Sequence, residues 1–227
     1  MFTFKLVLGT ISSPAIFVIL LFLPAGTWYW WRAWLLIGLF LVGAVWAVLK
    51  LLRGHKDLLE ERLKFPMQKG QPLTDKIVVL LLLATYFGGI AFIPVDVFHL
   101  RLLSKPGPLV SSLGLILFNA GWWISYLSLR ENAFAAPVVK HQTERNQTVV
   151  DTGVYSKIRH PMYAGAALVM IGVPLWLESY AATLLSLIPI STLLVRIFIE
   201  EQFLRRELNG YDAYTERVPY RLIPHLW

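Results

Sequence analysis

Long apolar runs, separated by short polar and charged stretches, dominate the pattern of this chain. A helix that spans a bilayer needs about 20 mainly apolar residues, and six segments reach or approach that length. They are Leu6–Leu23, Ala33–Leu52, Ile77–Val95, Leu109–Leu129, Met162–Leu177 and Tyr180–Ile199. Only Glu178 and Ser179 separate the short fifth segment from the sixth, which predicts a tight helical hairpin. The pattern therefore predicts an all-α integral membrane protein with about six transmembrane helices.

Composition agrees with this class. Of the 227 residues 15% are charged, whereas soluble domains average about 25%. The net charge of +7 does not indicate a nucleic-acid partner, because the basic residues cluster between the apolar runs. The absence of cysteine excludes disulfides, thiolate nucleophiles and cysteine-ligated metals. The segment after Met1 has no clear small-residue cleavage site, so we expect it to remain as the first span.

The basic residues predict the orientation. They concentrate in the loop between spans two and three, in the connection after span four and in the tail. These are Lys50, Arg53, Lys56, Arg62, Lys64, Lys69 and Lys76; Arg130, Lys140, Arg145, Lys157 and Arg159; and Arg205, Arg206, Arg217 and Arg221. The opposite loops hold only Arg32, Arg101 and Lys105. Positive residues favour the cytoplasmic side, so both termini and both long loops are expected there.

The chain is expected to form one structural domain with two kinds of sequence. Residues 1–130 contain four spans and a charged connector. Lys56–Lys64 within this connector is amphipathic and is expected to lie on the inner leaflet, although a solvated linker has the same composition. Residues 131–227 hold the residues that are suited to chemistry.

The sequence Arg159-His160-Pro161 predicts the start of span five. Proline fits the first turn of a helix, which places His160 just before the helix and Tyr163 and Gly165 in its first turns. Free N–H groups at a helix start suit a carboxylate or a ribose oxygen. The alternative is that His160 and Tyr163 are interface anchors and Gly165 is a packing residue.

Arg196 and Glu200 lie four residues apart, on one face of the last span. They are expected either to form an intrahelical ion pair or to serve an outside partner, because charge near hydrocarbon is costly. Glu201 and Glu207 are expected to be solvated on the cytoplasmic side.

Metal catalysis and a Rossmann-type nucleotide site are not expected. His141, His160 and His225 are too scattered for a ligand set, and no Gly-x-Gly-x-x-Gly loop follows a strand.

Three stretches together resemble a known family. They are Gln147–Gly165, Arg196–Glu201, and Gly210–Tyr214 followed by Arg217–Pro224. In order and spacing they are similar to the isoprenylcysteine carboxyl methyltransferases and their prokaryotic relatives. The resemblance covers roughly residues 137–225, and the first 130 residues are similar only in being hydrophobic helices. It implies a multi-pass enzyme of a prokaryotic inner membrane that uses S-adenosylmethionine (SAM) without a Rossmann domain, at a cytoplasmic C-terminal site.

The resemblance also implies site residues. The cofactor contacts would be Lys140, Gln147, Thr148, Val149, Val150, Tyr155, His160, Pro161, Met162, Tyr163 and Glu200. The catalytic residues would be Arg196, which faces the substrate, and Glu200, which the Arg-x-x-x-Glu spacing favours over Glu201. Glu200 would bind the ammonium group of SAM, the Arg159–His160 region its carboxylate or ribose, and Tyr155 and Tyr163 its adenine.

The leading hypothesis is SAM-dependent methylation of a lipophilic acceptor that enters from the bilayer. A carboxylate acceptor suits Arg196, because a guanidinium orients a carboxylate by paired hydrogen bonds. A prenylated cysteine, a prenylated small molecule, a fatty-acid-like carboxylate and a phospholipid amine all remain open as acceptors. Other interpretations are a phospholipid N-methyltransferase or an NADPH-dependent membrane reductase. A transporter or scaffold is least favoured, because no ionisable residue lies at mid-depth in a predicted span.

Overall fold

The structure, a computed structural model, describes residues 2–65, 67–68, 70–140 and 142–227. Met1, Lys69 and His141, which entered the sequence argument, lie outside the described residues. Within those ranges the chain forms α-helices and no strand, which confirms the all-α class. The helices are α1 Phe2–Ala25, α2 Trp31–Leu51, α3 Lys56–Arg62, α4 Leu73–Pro94, α5 Pro108–Glu131, α6 Pro161–Trp176, α7 Tyr180–Leu185, α8 Leu187–Glu207 and α9 Tyr211–Arg217. A π-helical turn, Val95–Leu100, extends α4.

Five stretches are long and apolar enough to cross a membrane, one fewer than the six predicted. They are Phe2–Ala25, Trp31–Leu51, Leu73–Leu100, Pro108–Glu131 and Tyr180–Glu207, the last comprising α7 and α8. Helix α6 has 16 residues and rises about 24 Å at 1.5 Å per residue. That is less than the roughly 30 Å of a hydrocarbon core. The fifth predicted span is therefore a shorter helix.

Helix α6 packs with its backbone directly against α5. A Cβ atom built on Gly165 would lie 2.5 Å from the carbonyl oxygen of Gly121, and one built on Gly172 would lie 2.6 Å from that of Gly114. Small residues let helix backbones approach this closely. Gly165 therefore serves helix packing, which was the alternative considered for it.

The predicted short connection between the last two spans is present. Residues 177–179 join α6 to α7, and Ser179 caps α7 by accepting a hydrogen bond from the Ala182 N–H at 2.9 Å. The Ser179 hydroxyl donates to the buried carboxylate of Asp96 at 2.6 Å, which fastens this turn to the end of α4. The closest neighbour of α6 is nevertheless α5, which precedes it in the chain.

The antiparallel course of the long helices brings several helix ends together. The start of α4, the end of α5, the start of α6 and the end of α8 lie at one end of the molecule, where residues 132–160 connect α5 to α6. The short helix α3 lies at this end and buries Leu58, Leu59 and Glu61. This end therefore gathers most of the charged side chains, and its cytoplasmic location remains a prediction.

Candidate active site

A pocket lies between the connector that joins α5 to α6, the start of α6, the end of α8 and helix α9. The pocket and its opening to solvent together enclose about 810 Å³ of space that no protein atom fills. All of the predicted cofactor contacts except Pro161 line it. They are Lys140, Gln147, Thr148, Val149, Val150, Tyr155, His160, Met162, Tyr163 and Glu200. Residues that are scattered along the sequence thus share one cavity.

The start of α6 is where the sequence predicted it. Pro161 is the first helical residue and His160 is the cap. The backbone N–H of Arg159 donates to the carbonyl of Tyr220, and that of His160 donates to the carbonyl of Arg221, both at 2.9 Å. The tail therefore takes up N–H groups that precede the helix. Pro161 itself is fully buried and is not among the residues that line the pocket.

Glu200 and Glu201 have different environments although they are adjacent. Successive helical residues point about 100° apart, so only Glu200 lines the pocket. The hydroxyl of Tyr163 donates to Oε2 of Glu200. In the part of the chain that the structure describes, Oε1 of Glu200 has no hydrogen-bond partner. A carboxylate oxygen is thus available on the pocket wall.

Glu201 contradicts the expectation of a solvated charge. It is 4% exposed and accepts hydrogen bonds from Nε of Arg159 at 2.8 Å and Nε of Arg221 at 3.0 Å, with Nε2 of His160 at 3.2 Å. Three basic side chains offset the cost of burying it. Glu207, nearly two turns further along α8, is exposed as expected.

Arg159 borders the pocket, but its guanidinium is already occupied. Besides its bond to Glu201, its Nη1 group donates to the carbonyls of Val218 at 2.9 Å and Pro219 at 3.1 Å. Arg159 therefore holds the tail against α6. Binding of a cofactor carboxylate or ribose in the Arg159–His160 region stays a prediction, and it requires donor groups that are not already engaged.

The extended segment 148–150 offers such groups. Among the described residues, the backbone N–H groups of Thr148, Val149 and Val150 have no hydrogen-bond partner. All three residues line the pocket and are at least partly exposed. Backbone groups normally find a partner when they are enclosed, so this segment presents donors that suit ligand oxygens.

Besides Tyr163, three tyrosines give the pocket an aromatic wall. Tyr155 was predicted as a site residue, and its carbonyl accepts a hydrogen bond from the Tyr214 hydroxyl at 2.8 Å. Tyr211 and Tyr214 also line the pocket but were quoted only as part of the C-terminal motif. Burial raises the pKa of all three phenols, so these rings stay neutral at physiological pH.

Lys140 lines the pocket, but its ammonium group is paired with α3. It forms ion pairs with Glu61 and, at 3.8 Å, with Glu144. Burial alone would raise the pKa of Glu61, but hydrogen bonds and charges from Lys140 and Lys64 outweigh it and lower that pKa. Helix α3 is therefore attached to the pocket wall and is more than a solvated linker.

Arg196 does not form the intrahelical pair with Glu200 that was considered. Its Nε donates to Asp75 at 3.0 Å and its Nη2 to the carbonyl of Pro137 at 2.7 Å. The guanidinium carbon lies 5.7 Å from the centre of the Tyr163 ring. Arg196 is not among the residues that line the pocket, and its predicted contact with substrate stays a prediction. Asp75, the partner of Arg196, was not predicted as a site residue from the sequence.

In the described ranges no group of three or more His, Asp or Glu side chains is arranged to hold a metal ion. The described site is a polar pocket lined by tyrosines and by the carboxylate of Glu200, and it lies at the end of a bundle of membrane-length helices.

Residues 109–209 match the phospholipid methyltransferase family (PEMT). The match includes α5, the connector and α6 to α8, and hence most of the pocket wall. It supports a membrane methyltransferase without separating isoprenylcysteine-type enzymes from phospholipid methyltransferases. No curated protein matches the chain significantly.

Proposed function

We propose that the protein transfers a methyl group from SAM to a lipophilic acceptor at the membrane surface. The observation that carries the proposal is the pocket, which unites the residues that resemble a SAM site. Glu200 contributes an available carboxylate oxygen, which suits a ligand with an ammonium group. The N–H groups of residues 148–150 suit ribose or carboxylate oxygens, and the neutral tyrosines suit a purine ring.

The same residues fit NADPH less well. A dinucleotide with an additional phosphate requires uncommitted positive charge. Lys140 and Arg159 are the lysine and arginine among the lining residues, and they are paired with Glu61 and Glu201. This pairing favours SAM over a phosphorylated dinucleotide.

SAM supplies a methyl group on a sulfonium, which an acceptor takes by in-line displacement. The task of the chain is to align the acceptor and to exclude water. No general acid is needed, and neutral tyrosines with fixed backbone donors meet these requirements.

We propose a lipophilic carboxylate, of the isoprenylcysteine type, as the first acceptor class. A carboxylate is nucleophilic at neutral pH without losing a proton. An amine acceptor must lose a proton before it attacks, and among the described lining residues the carboxylate is that of Glu200, which is assigned to the cofactor. A phospholipid amine is the second candidate, because the match to phospholipid methyltransferases favours it.

Binding of SAM and S-adenosylhomocysteine to the purified protein in detergent, measured by calorimetry, tests the cofactor. We expect micromolar binding, weakened about tenfold or more by Glu200→Gln, since a charge-assisted hydrogen bond is lost. The matched control is Glu207→Gln, an exposed glutamate on the same helix. Absence of binding by the wild type, with binding of NADPH instead, would overturn the proposal.

The acceptor is tested in proteoliposomes with SAM labelled on its methyl group. One set contains a prenylated cysteine with a free carboxylate, and the other contains phosphatidylethanolamine. A methyl ester releases labelled methanol in alkali, whereas an N-methyl group stays on the lipid. We expect alkali-labile label, and stable label in the phospholipid would establish the second candidate instead.

A further inference from the structure

A carboxylate from the N-terminal half of the chain lies behind the pocket. Asp75, in the first turn of α4, is 0% exposed. Its Oδ1 accepts a hydrogen bond from Nε of Arg196 at 3.0 Å. Its Oδ2 accepts from the backbone N–H of Val139 at 3.0 Å and from Nε2 of Gln71 at 2.7 Å. Every contact of this carboxylate is thus directional, and two of the three reach the C-terminal half.

Both of those contacts adjoin the pocket. Val139 lines it, as do its neighbours Val138 and Lys140. The hydrogen bond from its N–H to Asp75 fixes the backbone of this wall from behind. Without a carboxylate or an equivalent acceptor at position 75, a buried donor would lose its partner, which is costly.

The second contact fixes Arg196. With Nε held by Asp75 and Nη2 by the carbonyl of Pro137, the plane of the guanidinium is determined. In the described structure both hydrogen atoms of Nη1 and one of Nη2 remain without a hydrogen-bond partner. The same guanidinium lies against the ring of Tyr163, whose hydroxyl donates to Glu200. Asp75 therefore lies at the start of a chain of contacts that ends at the available carboxylate of the pocket.

We infer that Asp75 is a positioning residue of the methyltransferase site, which acts through Arg196 and through the backbone of Val139. This inference rests on the proposed function. It assigns part of the site to α4, outside the region that resembles known methyltransferases. A carboxylate that served the fold alone would alter stability and leave turnover of the folded protein unchanged.

Two substitutions separate the two contacts. Asp75→Asn keeps an oxygen that can accept from the Val139 N–H but removes the charge that holds Arg196. Asp75→Ala removes both. We expect Asp75→Asn to bind S-adenosylhomocysteine within about twofold of wild type. Asp75→Ala should bind it about tenfold more weakly, because the N–H of Val139 on the pocket wall also loses its acceptor. Asp57→Asn, an exposed aspartate of α3, is the matched control.

Turnover is compared in Asp75→Asn, in Arg196→Gln and in the double variant, with the acceptor that the wild type methylates in proteoliposomes. We expect each single change to lower kcat about 10- to 100-fold, and the double variant to be no slower than Arg196→Gln alone. The double variant leaves no unpaired buried charge, which favours its folding. If Asp75→Asn cannot be purified, Gln71→Met is the substitute. It removes one hydrogen bond to the carboxylate of Asp75 but keeps the ion pair with Arg196, and it should lower kcat several-fold.

Hydrogen–deuterium exchange of residues 138–150, with and without S-adenosylhomocysteine, provides a readout that is independent of activity. Protection by the ligand should be retained in Asp75→Asn and lost in Asp75→Ala. Equal protection in both variants, with additive effects of Asp75→Asn and Arg196→Gln on kcat, would overturn the inference. So would an unchanged kcat in Gln71→Met. A wild type that binds no S-adenosylhomocysteine would instead overturn the proposed function.

Discussion

Two buried ion-pair clusters lie on different sides of α8 and are built differently. The Glu201 cluster comprises Arg159, His160, Glu201 and Arg221, and it concentrates three basic side chains on one carboxylate. The Asp75 cluster comprises Gln71, Asp75, Val139 and Arg196, with one carboxylate and one guanidinium. The first joins residues of the C-terminal part of the chain. The second joins side chains that are 121 positions apart.

This difference shows how the pocket depends on the whole molecule. The Glu201 cluster fastens the tail to the start of α6 and so closes the side of the pocket near α9. The Asp75 cluster fastens the first turn of α4 to the connector on another side. The residues that line the pocket belong to the C-terminal part of the chain, but one of the pocket walls is supported from the N-terminal part.

The largest effect on stability is expected from Glu201→Ala. The change leaves Arg159 and His160 buried without their carboxylate, and breaking a buried pair in this way costs about 3–5 kcal/mol. The free energy of unfolding in detergent, measured by chemical or thermal denaturation, should fall by that amount. Glu207→Ala on the same helix is the control, and an equal loss in both variants would contradict a special role for the cluster.

A smaller effect is expected from Arg221→Ala. Its Nε donates to Glu201 at 3.0 Å, and its guanidinium lies 5.3 Å from the ring centres of both Phe198 and Trp227. Loss of one charge-assisted hydrogen bond costs about 2 kcal/mol, while Arg159 still compensates Glu201. Limited proteolysis should then cut the tail faster than in Arg206→Ala, an exposed arginine of α8. Equal cleavage rates would show that Arg221 does not hold the tail.

The two clusters also show what the sequence could and could not predict. The apolar runs predict the helices, and Pro161 predicts the start of α6, because both signals are local. The sequence also contains a pattern that indicates the contact of α5 with α6, although no prediction was drawn from it. Gly114 and Gly121 on one helix have the same spacing as Gly165 and Gly172 on the other. Glycines at matching intervals favour close helix packing.

The burial of Asp75 and Glu201 had no local signal. An aspartate in the first turn of a helix is common, because it interacts favourably with the helix dipole. Glu201 next to Glu200 resembles an exposed charged turn. Whether such a carboxylate is paired depends on the path of the connector and of the tail, and the sequence pattern does not specify these paths. The sequence favoured Glu200 over Glu201 because the spacing from Arg196 to Glu200 is itself a motif, and the contact of Glu200 with a cofactor stays a prediction.

A third buried contact, the ion pair between Glu61 and Lys140, should make the stability of the protein depend on pH. Since the pKa of Glu61 is lowered in the folded protein, its ion pairs stabilise the fold above the ordinary value of 4.5. That stabilisation is lost as the pH falls through the lowered pKa. Glu61→Gln should reduce the free energy of unfolding by about 1 kcal/mol at neutral pH.

Denaturation at several pH values measures this dependence. The difference between Glu61→Gln and the wild type should shrink steadily below about pH 4.5. Glu60→Gln, an exposed neighbour on α3, should show a smaller difference at neutral pH. A difference that is constant with pH would contradict the ion pairs of Glu61 as its source.

The smallest effect is expected from an ion pair that joins the same tail to the same connector at the surface. Arg217 and Asp151 are 2.6 Å apart, closer than the 2.8 Å between buried Arg159 and Glu201, but their side chains are 58% and 42% exposed. Water screens this attraction and both side chains lose conformational freedom, so Asp151→Asn should change the free energy of unfolding by less than about 0.5 kcal/mol. The same denaturation measurement, made on Asp151→Asn and on Glu201→Ala, therefore shows whether a short distance or burial makes an ion pair stabilising. A loss for Asp151→Asn as large as that for Arg221→Ala would mean that the tail is held by its surface charges, and the Glu201 cluster would then no longer account for the closure of the pocket.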